Sequence, residues 1–245
     1  MYLKRILLLV ALSFIVLPVS TNAALKTYAC YYDLSRDQDT EITIMNLGTG
    51  TASYTLRVFD QSGDQIYVTN RMLSAGESDF FRLGQEIGHG PYYWGVVIIE
   101  TQEDNFLSLA AEYYMDQEIV SIDNIIEHVP FRSSGRDYWY CIYHVNVGVS
   151  STGLIVMNPW WEPTTVTVYV RDESGDVIYQ DRITLSDHEA DYLDLEDLIG
   201  QSPYTWGLID IKADIPIVLA CEYYYRGGSA LEIDNVVDFY AWQED

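Results

Sequence analysis

The feature that most constrains the fold of this chain is an internal duplication. The segment VFDQSGDQIY (58–67) recurs 112 positions later as VRDESGDVIY (170–179). Other segments match at the same offset, among them Ile44-Met45-Asn46 with Val156-Met157-Asn158 and PYYWG (91–95) with PYTWG (203–207). A repeat of roughly 105 residues has the size of one domain. We therefore predict two tandem, homologous domains, 24–131 and 137–245, joined by a polar linker, 132–136.

The hydrophobic residues of each repeat alternate with polar ones. Tyr54, Leu56 and Val58 are separated by Thr55 and Arg57, which is the period of a half-buried strand. Seven or eight such runs per repeat, divided by Gly, Asp, Asn and Ser clusters, predict an all-β fold. Each domain is expected to be an antiparallel β-sandwich of immunoglobulin-like or jelly-roll type. Helical turns are predicted only at 83–87 and 195–199.

The strand rhythm resembles that of one known family. Each repeat has an apolar strand ending in asparagine, Asn46 or Asn158, then a further strand and a glycine turn, and the second repeat continues as WGLIDIKADIPIVLACEY (206–223). This pattern is similar to the small sandwich of sensory-rhodopsin-transducer-like proteins. The resemblance implies the sandwich fold. It implies no functional residue, because those proteins are single cytoplasmic domains that form oligomers, whereas this chain has two repeats.

The first 23 residues have the pattern of a secretory signal peptide. Lys4 and Arg5 precede an apolar run, 6–17, and small or polar residues follow up to Ala23. The apolar run is about 12 residues long, which is short for a membrane span. We expect a secreted or periplasmic protein with no transmembrane segment in the mature chain. A retained N-terminal anchor is the alternative.

The charge of the chain excludes one class of partner. The sequence contains 13 basic and 37 acidic residues. Removal of residues 1–23 takes away Lys4 and Arg5 and no acidic residue, which leaves a net charge of about −26. A surface this acidic repels a phosphate backbone, so no nucleic-acid partner is expected.

The repeated aspartates suggest either a calcium loop or a hairpin turn. Asp60, Ser62 and Asp64 occupy positions 1, 3 and 5 of an EF-hand loop, but the glycine falls at position 4 and position 12 is Arg71. The second copy departs from the pattern in the same way. A Ser-Gly turn between two strands fits both copies better. We predict two hairpins, with no metal site and no cofactor.

Three cysteines occupy informative places in the repeat. Cys30 and Cys141 are equivalent, whereas Cys221 is matched by Ala111. Because an oxidising compartment permits disulfides, a Cys141–Cys221 bond within the second domain is predicted. Two alternatives remain: three buried free thiols, or an intermolecular bridge through Cys30.

No motif in the sequence indicates catalysis. The four histidines have no metal-pair spacing, and the chain has no Gly-x-Ser-x-Gly elbow, phosphate-cradling loop or Cys-x-x-Cys. We therefore expect a protein that is not an enzyme and has no catalytic residues. The minor alternative is a hydrolase that uses outward carboxylates, Glu222 and Asp234, which recur in the first repeat.

The two repeats differ most in one loop. NLGTGTAS (46–53) in the first repeat becomes NPWWEPTT (158–165) in the second. Two tryptophans between prolines on a turn predict a stiff aromatic patch, which suits binding to a carbohydrate or to an envelope protein. The predicted ligand contacts are Trp160, Trp161, Glu162 and Tyr224.

Two other interpretations of the aromatic residues remain open. Trp160 and Trp161 are equally expected to pack against the first domain or to cover the end of the sandwich. The alternative function is a structural protein of the envelope that self-associates as a homo-oligomer through its sheet edges and tyrosine-rich faces. Trp94 and Trp206, next to a glycine in each repeat, are predicted to be packing residues.

Overall fold

The computed structural model describes residues 25–35, 37–90, 93–102, 104–125, 129, 137–200, 205–225, 229–236 and 240–241. Within them the regular structure is almost entirely β-strand, arranged in four antiparallel sheets. The all-β prediction is therefore confirmed. The predicted signal peptide and linker lie outside the described residues.

The N-terminal half forms two four-stranded sheets. Sheet A has the strand order β1-β6-β3-β4, and sheet B has the order β5-β2-β7-β8. The elements are β1 (Leu25–Asp33), β2 (Gln38–Asn46), β3 (Ala52–Asp60), β4 (Gln65–Leu73), β5 (Ser78–Arg82), α1 (Leu83–Glu86), β6 (Trp94–Gln102), β7 (Leu107–Met115) and β8 (Glu118–Ile125).

The C-terminal half repeats this strand order. Sheet C has the order β12-β11-β14-β9-β17, and sheet D has the order β13-β10-β15-β16, so β9 to β16 take the places of β1 to β8. The elements are β9 (Asp137–Val145), β10 (Ser150–Met157), β11 (Thr164–Asp172), β12 (Val177–Leu185), β13 (Ala190–Asp194), α2 (Leu195–Ile199), β14 (Thr205–Ala213), β15 (Val218–Tyr225), β16 (Ser229–Val236) and β17 (Tyr240–Ala241).

The two helices are single turns at the predicted places. In α2 the side chain of Asp194 accepts a hydrogen bond from the Glu196 amide and so caps the first turn. The turn ends at Gly200, whose φ of +70° is one that glycine adopts at low cost. No helix within the described residues has the length and apolar character needed to cross a membrane.

Alternating side chains give each half an apolar interior. In the C-terminal half, Val166, Val168 and Val170 of β11 pack with inward residues of sheets C and D in one buried cluster. In the N-terminal half, Tyr54, Leu56 and Val58 occupy the equivalent inward positions. The period-two pattern therefore fixes which face of each sheet is inside.

The two halves pack against each other through the outer faces of sheets A and D. Ile155, Met157 and Ala220 point away from the core of their own half, yet they are buried in the same cluster as the N-terminal core. Strands β1 and β15 lie in contact there, and β8, the edge strand of sheet B, contacts β16 of sheet D beside them. We call this contact the A–D junction. It buries apolar surface that each half alone would expose to water.

Candidate functional site

Trp160 lies inside the A–D junction. Its side chain is 7% exposed and belongs to the buried cluster that contains the N-terminal core. The indole Nε1 donates a hydrogen bond to the carbonyl oxygen of Pro216 at 2.6 Å, which satisfies its polar atom. The ring does not face solvent, so the prediction that Trp160 contacts a ligand does not fit its burial. The indole is buried because the other half of the chain covers this end of the sandwich.

Trp161 remains 64% exposed but is held from one side. Its ring packs edge-to-face with two others: Phe59 across the junction, at a centroid distance of 5.9 Å, and His188 of its own half, at 4.2 Å. Phe59 and His188 are themselves stacked at 3.9 Å. We call Phe59, Trp161 and His188 the aromatic trio. Of the predicted loop contacts, Trp161 is the ring that still offers a face to solvent.

His188 belongs to the trio at some conformational cost. Its φ is +57°, a left-handed conformation that costs a non-glycine residue about 1–2 kcal/mol. The equivalent residue of the first repeat is Gly76, with a φ of +73°. Burial lowers the pKa of His188 to about 4, so the ring is neutral at pH 7. The sequence signal for this position is a histidine in the place of a turn glycine.

Glu162 and Tyr224 do not form a site with Trp161. The backbone carbonyl of Glu162 accepts a hydrogen bond from the Asn158 side chain, which closes the loop. The Tyr224 hydroxyl donates to Asp194 at the opposite end of sheet D, beside Ser151. Ser151 and the tryptophan loop lie at opposite ends of β10, a separation of roughly 20 Å.

Glu222 faces the junction rather than solvent. It lies on the outer face of sheet D, as the alternation predicted, but the N-terminal half covers it and leaves it buried. Its carboxylate is hydrogen-bonded to Tyr192, and burial together with the charge of Glu222 raises the pKa of that tyrosine. Asp234, its proposed partner in hydrolysis, has its side chain outside the described residues. Glu222 therefore acts within the junction packing and is not an exposed catalytic acid.

The predicted disulfide is not formed, although its two cysteines are neighbours. All three cysteines are free and buried. Cys141 of β9 and Cys221 of β15 both point into the core of the C-terminal half, and a thiol hydrogen bond joins them. That hydrogen bond and burial raise the pKa of Cys141. Cys30, which faces Ala111 in the equivalent arrangement, is a buried single thiol.

The outer face of sheet C is exposed and carries large apolar side chains. Ile142 is 67% exposed, Trp206 is 49% exposed, and Tyr140 lies in the same row as Ile142. Cross-strand register places Ile142 opposite Leu208 and Trp206 opposite His144, so these side chains share one face. Sequence reasoning treated Trp206 as a packing residue because Trp94 has the same context. The environment differs, since Trp94 meets Tyr31 and Tyr192 at the junction whereas Trp206 faces solvent.

A second surface feature is a polar groove of about 760 Å³ on sheet A. Two arginines line it, and each is already paired: Arg57 with Glu100 at 3.3 Å and Arg71 with Asp79 at 3.1 Å. The remaining lining residues are Leu25, Ser53, Tyr54, Thr55, Asn70, Met72, Thr101 and Gln102. Because its cations are neutralised within the protein, the groove has little charge to offer an anionic ligand.

The repeated aspartates form hairpin turns, as predicted. One oxygen of Asp60 accepts hydrogen bonds from the amides of Ser62 and Asp64, at 2.9 and 3.1 Å. Asp172 makes the same two bonds in the second copy. The carboxylate is thus used to stabilise the turn. Among the described residues, no group of three His, Cys, Asp or Glu side chains is placed to hold a metal ion.

Comparison with known proteins adds little. No protein-family model and no curated protein matches the chain. Among solved structures, a β-glucuronidase of glycoside hydrolase family 2 is 10% identical with a TM-score of 0.19, and the chain spans 24% of its length. The Bacteroides uniformis β-glucuronidase is 10% identical over 26% of its length, with a TM-score of 0.21. The PBSX exported protein XepA is 12% identical over 82% of its length, with a TM-score of 0.22. Likenesses this weak carry no argument about function.

Proposed function

We propose that this chain is a non-catalytic binding protein, and that its recognition surface is the outer face of sheet C. One observation carries the proposal: a patch of the repeat that is buried in an interface in one half is an exposed apolar surface in the other. On sheet A the patch includes Tyr31 and Trp94 and packs against sheet D, whereas the groove lined by Arg57 and Met72 leaves the rest of the face open. On sheet C the equivalent positions expose Tyr140, Ile142 and Trp206. A row of exposed apolar and aromatic side chains on a rigid sheet is typical of a protein-binding surface.

The chemistry of the face favours a protein partner. Beside the apolar row lie three basic residues, Arg171, Arg182 and Lys212, in a chain that is strongly acidic overall. Arg171 is paired with Asp210 of the neighbouring strand. An apolar centre with charged residues around it suits an apolar protein face with an acidic rim.

The proposal can be tested by photo-crosslinking in the cells that produce the protein. A benzophenone amino acid is introduced at Ile142, and the same group at Met72 on sheet A serves as the control. We expect a protein adduct of discrete mass from position 142 that disappears when Trp206→Glu is added. Absence of any protein adduct from position 142, with full production of the folded chain, would contradict the proposal.

Trp161 supports a second candidate, carbohydrate binding. Its exposed ring is fixed at one side by Phe59 and His188, and a fixed aromatic face can stack on a sugar ring. Titration of the protein with soluble polysaccharides, followed by tryptophan fluorescence, tests this candidate. A saturable change that is lost in Trp161→Ala but kept in Trp206→Glu would favour the loop over sheet C.

The proposed setting is outside the cytoplasm, on the basis of the signal-like residues 1–23. In an oxidising compartment we infer that the adjacent thiols of Cys141 and Cys221 become a disulfide between sheets C and D. The bond would stiffen the half that carries the recognition surface.

A further inference from the structure

We propose that the partner of the sheet C outer face is a second copy of this chain, which docks with the outer face of its sheet B. This inference rests on the proposed function and names the partner of that surface. The geometry of the docking follows from the A–D junction. Sheet C is the repeat equivalent of sheet A, and sheet B is the equivalent of sheet D.

An aromatic contact of the junction has an exposed counterpart on each free face. Within the chain, Trp94 of sheet A packs edge-to-face on Tyr192 of sheet D at 6.3 Å. The equivalent of Trp94 is Trp206, and the equivalent of Tyr192 is Phe80, which is 69% exposed. Docking sheet B of one copy on sheet C of another in the same way places Phe80 against Trp206. Both rings would then leave water.

Further apolar positions agree with this register. Met157 of sheet D is buried at the junction, and its equivalent Met45 is exposed on sheet B. Tyr31 of sheet A is buried, and its equivalent Ile142 is exposed on sheet C. Terminal units of a stacked repeat protein normally have polar outer faces. Here both terminal faces keep large apolar side chains at the positions that form the internal contact.

The two free faces also have opposite charge. Among the described side chains, the outer face of sheet C has Arg171, Arg182 and Lys212 against Asp210. The outer face of sheet B has Asp39, Glu41 and Glu112 against Arg82. Burial and the neighbouring Glu112 raise the pKa of Glu41, as expected for adjacent carboxylates. Arg182 and Lys212 correspond to Asn70 and Glu100, which line the open groove of sheet A, so in this register they flank the contact. The opposite net charges of the two faces favour encounter of the correct surfaces.

The docking is heterologous, because two different faces meet. A bound pair leaves one face of each kind free, so association continues head to tail unless the rotation closes a ring. The contact is expected to be weaker than the A–D junction, because the aromatic trio has no counterpart: Phe59, Trp161 and His188 correspond to Arg171, Thr49 and Gly76. Association should therefore depend on protein concentration.

Sedimentation velocity of the full chain over a range of concentrations tests the proposal. We expect the weight-average mass to rise with concentration, and to stay at one copy in either Phe80→Glu or Trp206→Glu. Met72→Glu is the control, since Met72 is 72% exposed on sheet A and outside both faces. It should associate like the unchanged protein.

Mixing the two blocked variants separates a heterologous contact from a symmetric one. Phe80→Glu keeps an intact sheet C and Trp206→Glu keeps an intact sheet B, so an equal mixture should form pairs and nothing larger. A chain that remains a single copy at all concentrations, or variants that associate as before, would overturn the inference. If crosslinking at Ile142 then yields a different protein, the proposed function survives without self-association. If neither experiment detects a protein partner, both fall.

Discussion

The hairpins at Asp60–Asp64 and Asp172–Asp176 have the same local structure in different surroundings. Gly63 and Gly175 share a φ of +85°, and both aspartates make the same two turn hydrogen bonds. Yet the first hairpin touches the loop at 186–190 of the other half, where the Ala190 amide donates to the Gln61 carbonyl at 3.2 Å. An added Cβ on Gly175 would meet nothing within 4 Å.

The comparison shows which residues decide local structure and which decide packing. Asp, Ser and Gly at fixed spacing produce the same turn twice because the turn is closed by its own hydrogen bonds. What differs is the surface opposite each turn. Trp160, Trp161 and His188 have no counterparts in the first repeat, and they make the contact that the first hairpin enters. Divergence of the repeats has therefore made one outer face an internal interface.

Removal of the Trp160 ring is expected to have the largest effect on the junction. Trp160→Ala empties a buried indole site, and such truncations cost about 3–5 kcal/mol. Trp161→Ala, at an exposed ring, should cost about 1 kcal/mol. Urea unfolding of the two variants and the unchanged chain measures both. Equal losses would mean that Trp160 is not a junction residue.

The cysteines allow the cores of the two halves to be compared. After oxidation we expect a Cys141–Cys221 bond that stabilises the folded chain by about 2–4 kcal/mol, while Cys30 stays reduced. Ala111→Cys supplies the partner that Cys30 lacks and should add a second bond. Alkylation and peptide mass spectrometry identify the bonded residues. Three alkylated thiols after oxidation of the unchanged chain would be contrary to this expectation.

The two hairpin glycines form a matched pair of substitutions. Gly175→Ala should cost about 1 kcal/mol, the penalty of a left-handed backbone for an L-residue. Gly63→Ala carries the same penalty and also forces its Cβ into the Asp187 carbonyl, which should add about 1–3 kcal/mol. The difference in unfolding free energy between the variants reports the packing of the first hairpin. Equal unfolding free energies would indicate that the first hairpin is no more tightly packed than the second.

His188 should make the stability of the junction depend on pH. Burial lowers its pKa in the folded chain to about 4, from an ordinary value of about 6.5. The unfolded chain binds a proton on this histidine at a higher pH than the folded chain does. The stability that comes from neutral His188 is therefore complete above about pH 6.5 and is lost as the pH falls towards 4. His188→Gly restores the residue of position 76 and removes the effect. Between pH 7 and 4 the free energy of unfolding of the unchanged chain should fall by about 1–3 kcal/mol more than that of the variant. Parallel plots of unfolding free energy against pH would contradict this role of His188.

The sequence predicts the sheets better than it predicts the surfaces. Alternation in β3 and β11, the glycine-ended turns at 83–87 and 195–199, and the Asp-Ser-Gly hairpins depend on neighbours in the chain, and each was predicted correctly. Cys221 points inward in phase with Leu219, as strand alternation requires. These features need only local geometry and the strand period.

The arrangement of the halves could not be read from the same patterns. Glu222 was correctly assigned to an outer face, but the period of a strand does not reveal that another sheet covers that face. Trp94 and Trp206 have the same neighbours in sequence, yet one is in the junction and the other faces solvent. A continuous run of apolar residues in β1 was the available sign that this strand is covered on both faces.

The account depends most on the claim that sheets B and C of different copies meet as sheets D and A do within one chain. Cysteine pairs with a short bismaleimide test it directly, because the native thiols are buried. Trp94→Cys with Tyr192→Cys should crosslink within one chain. Phe80→Cys with Trp206→Cys should give a ladder of linked copies that fades on dilution. A ladder at this second pair is the predicted result, and internal crosslinking at the first pair without any ladder at the second would contradict the claim.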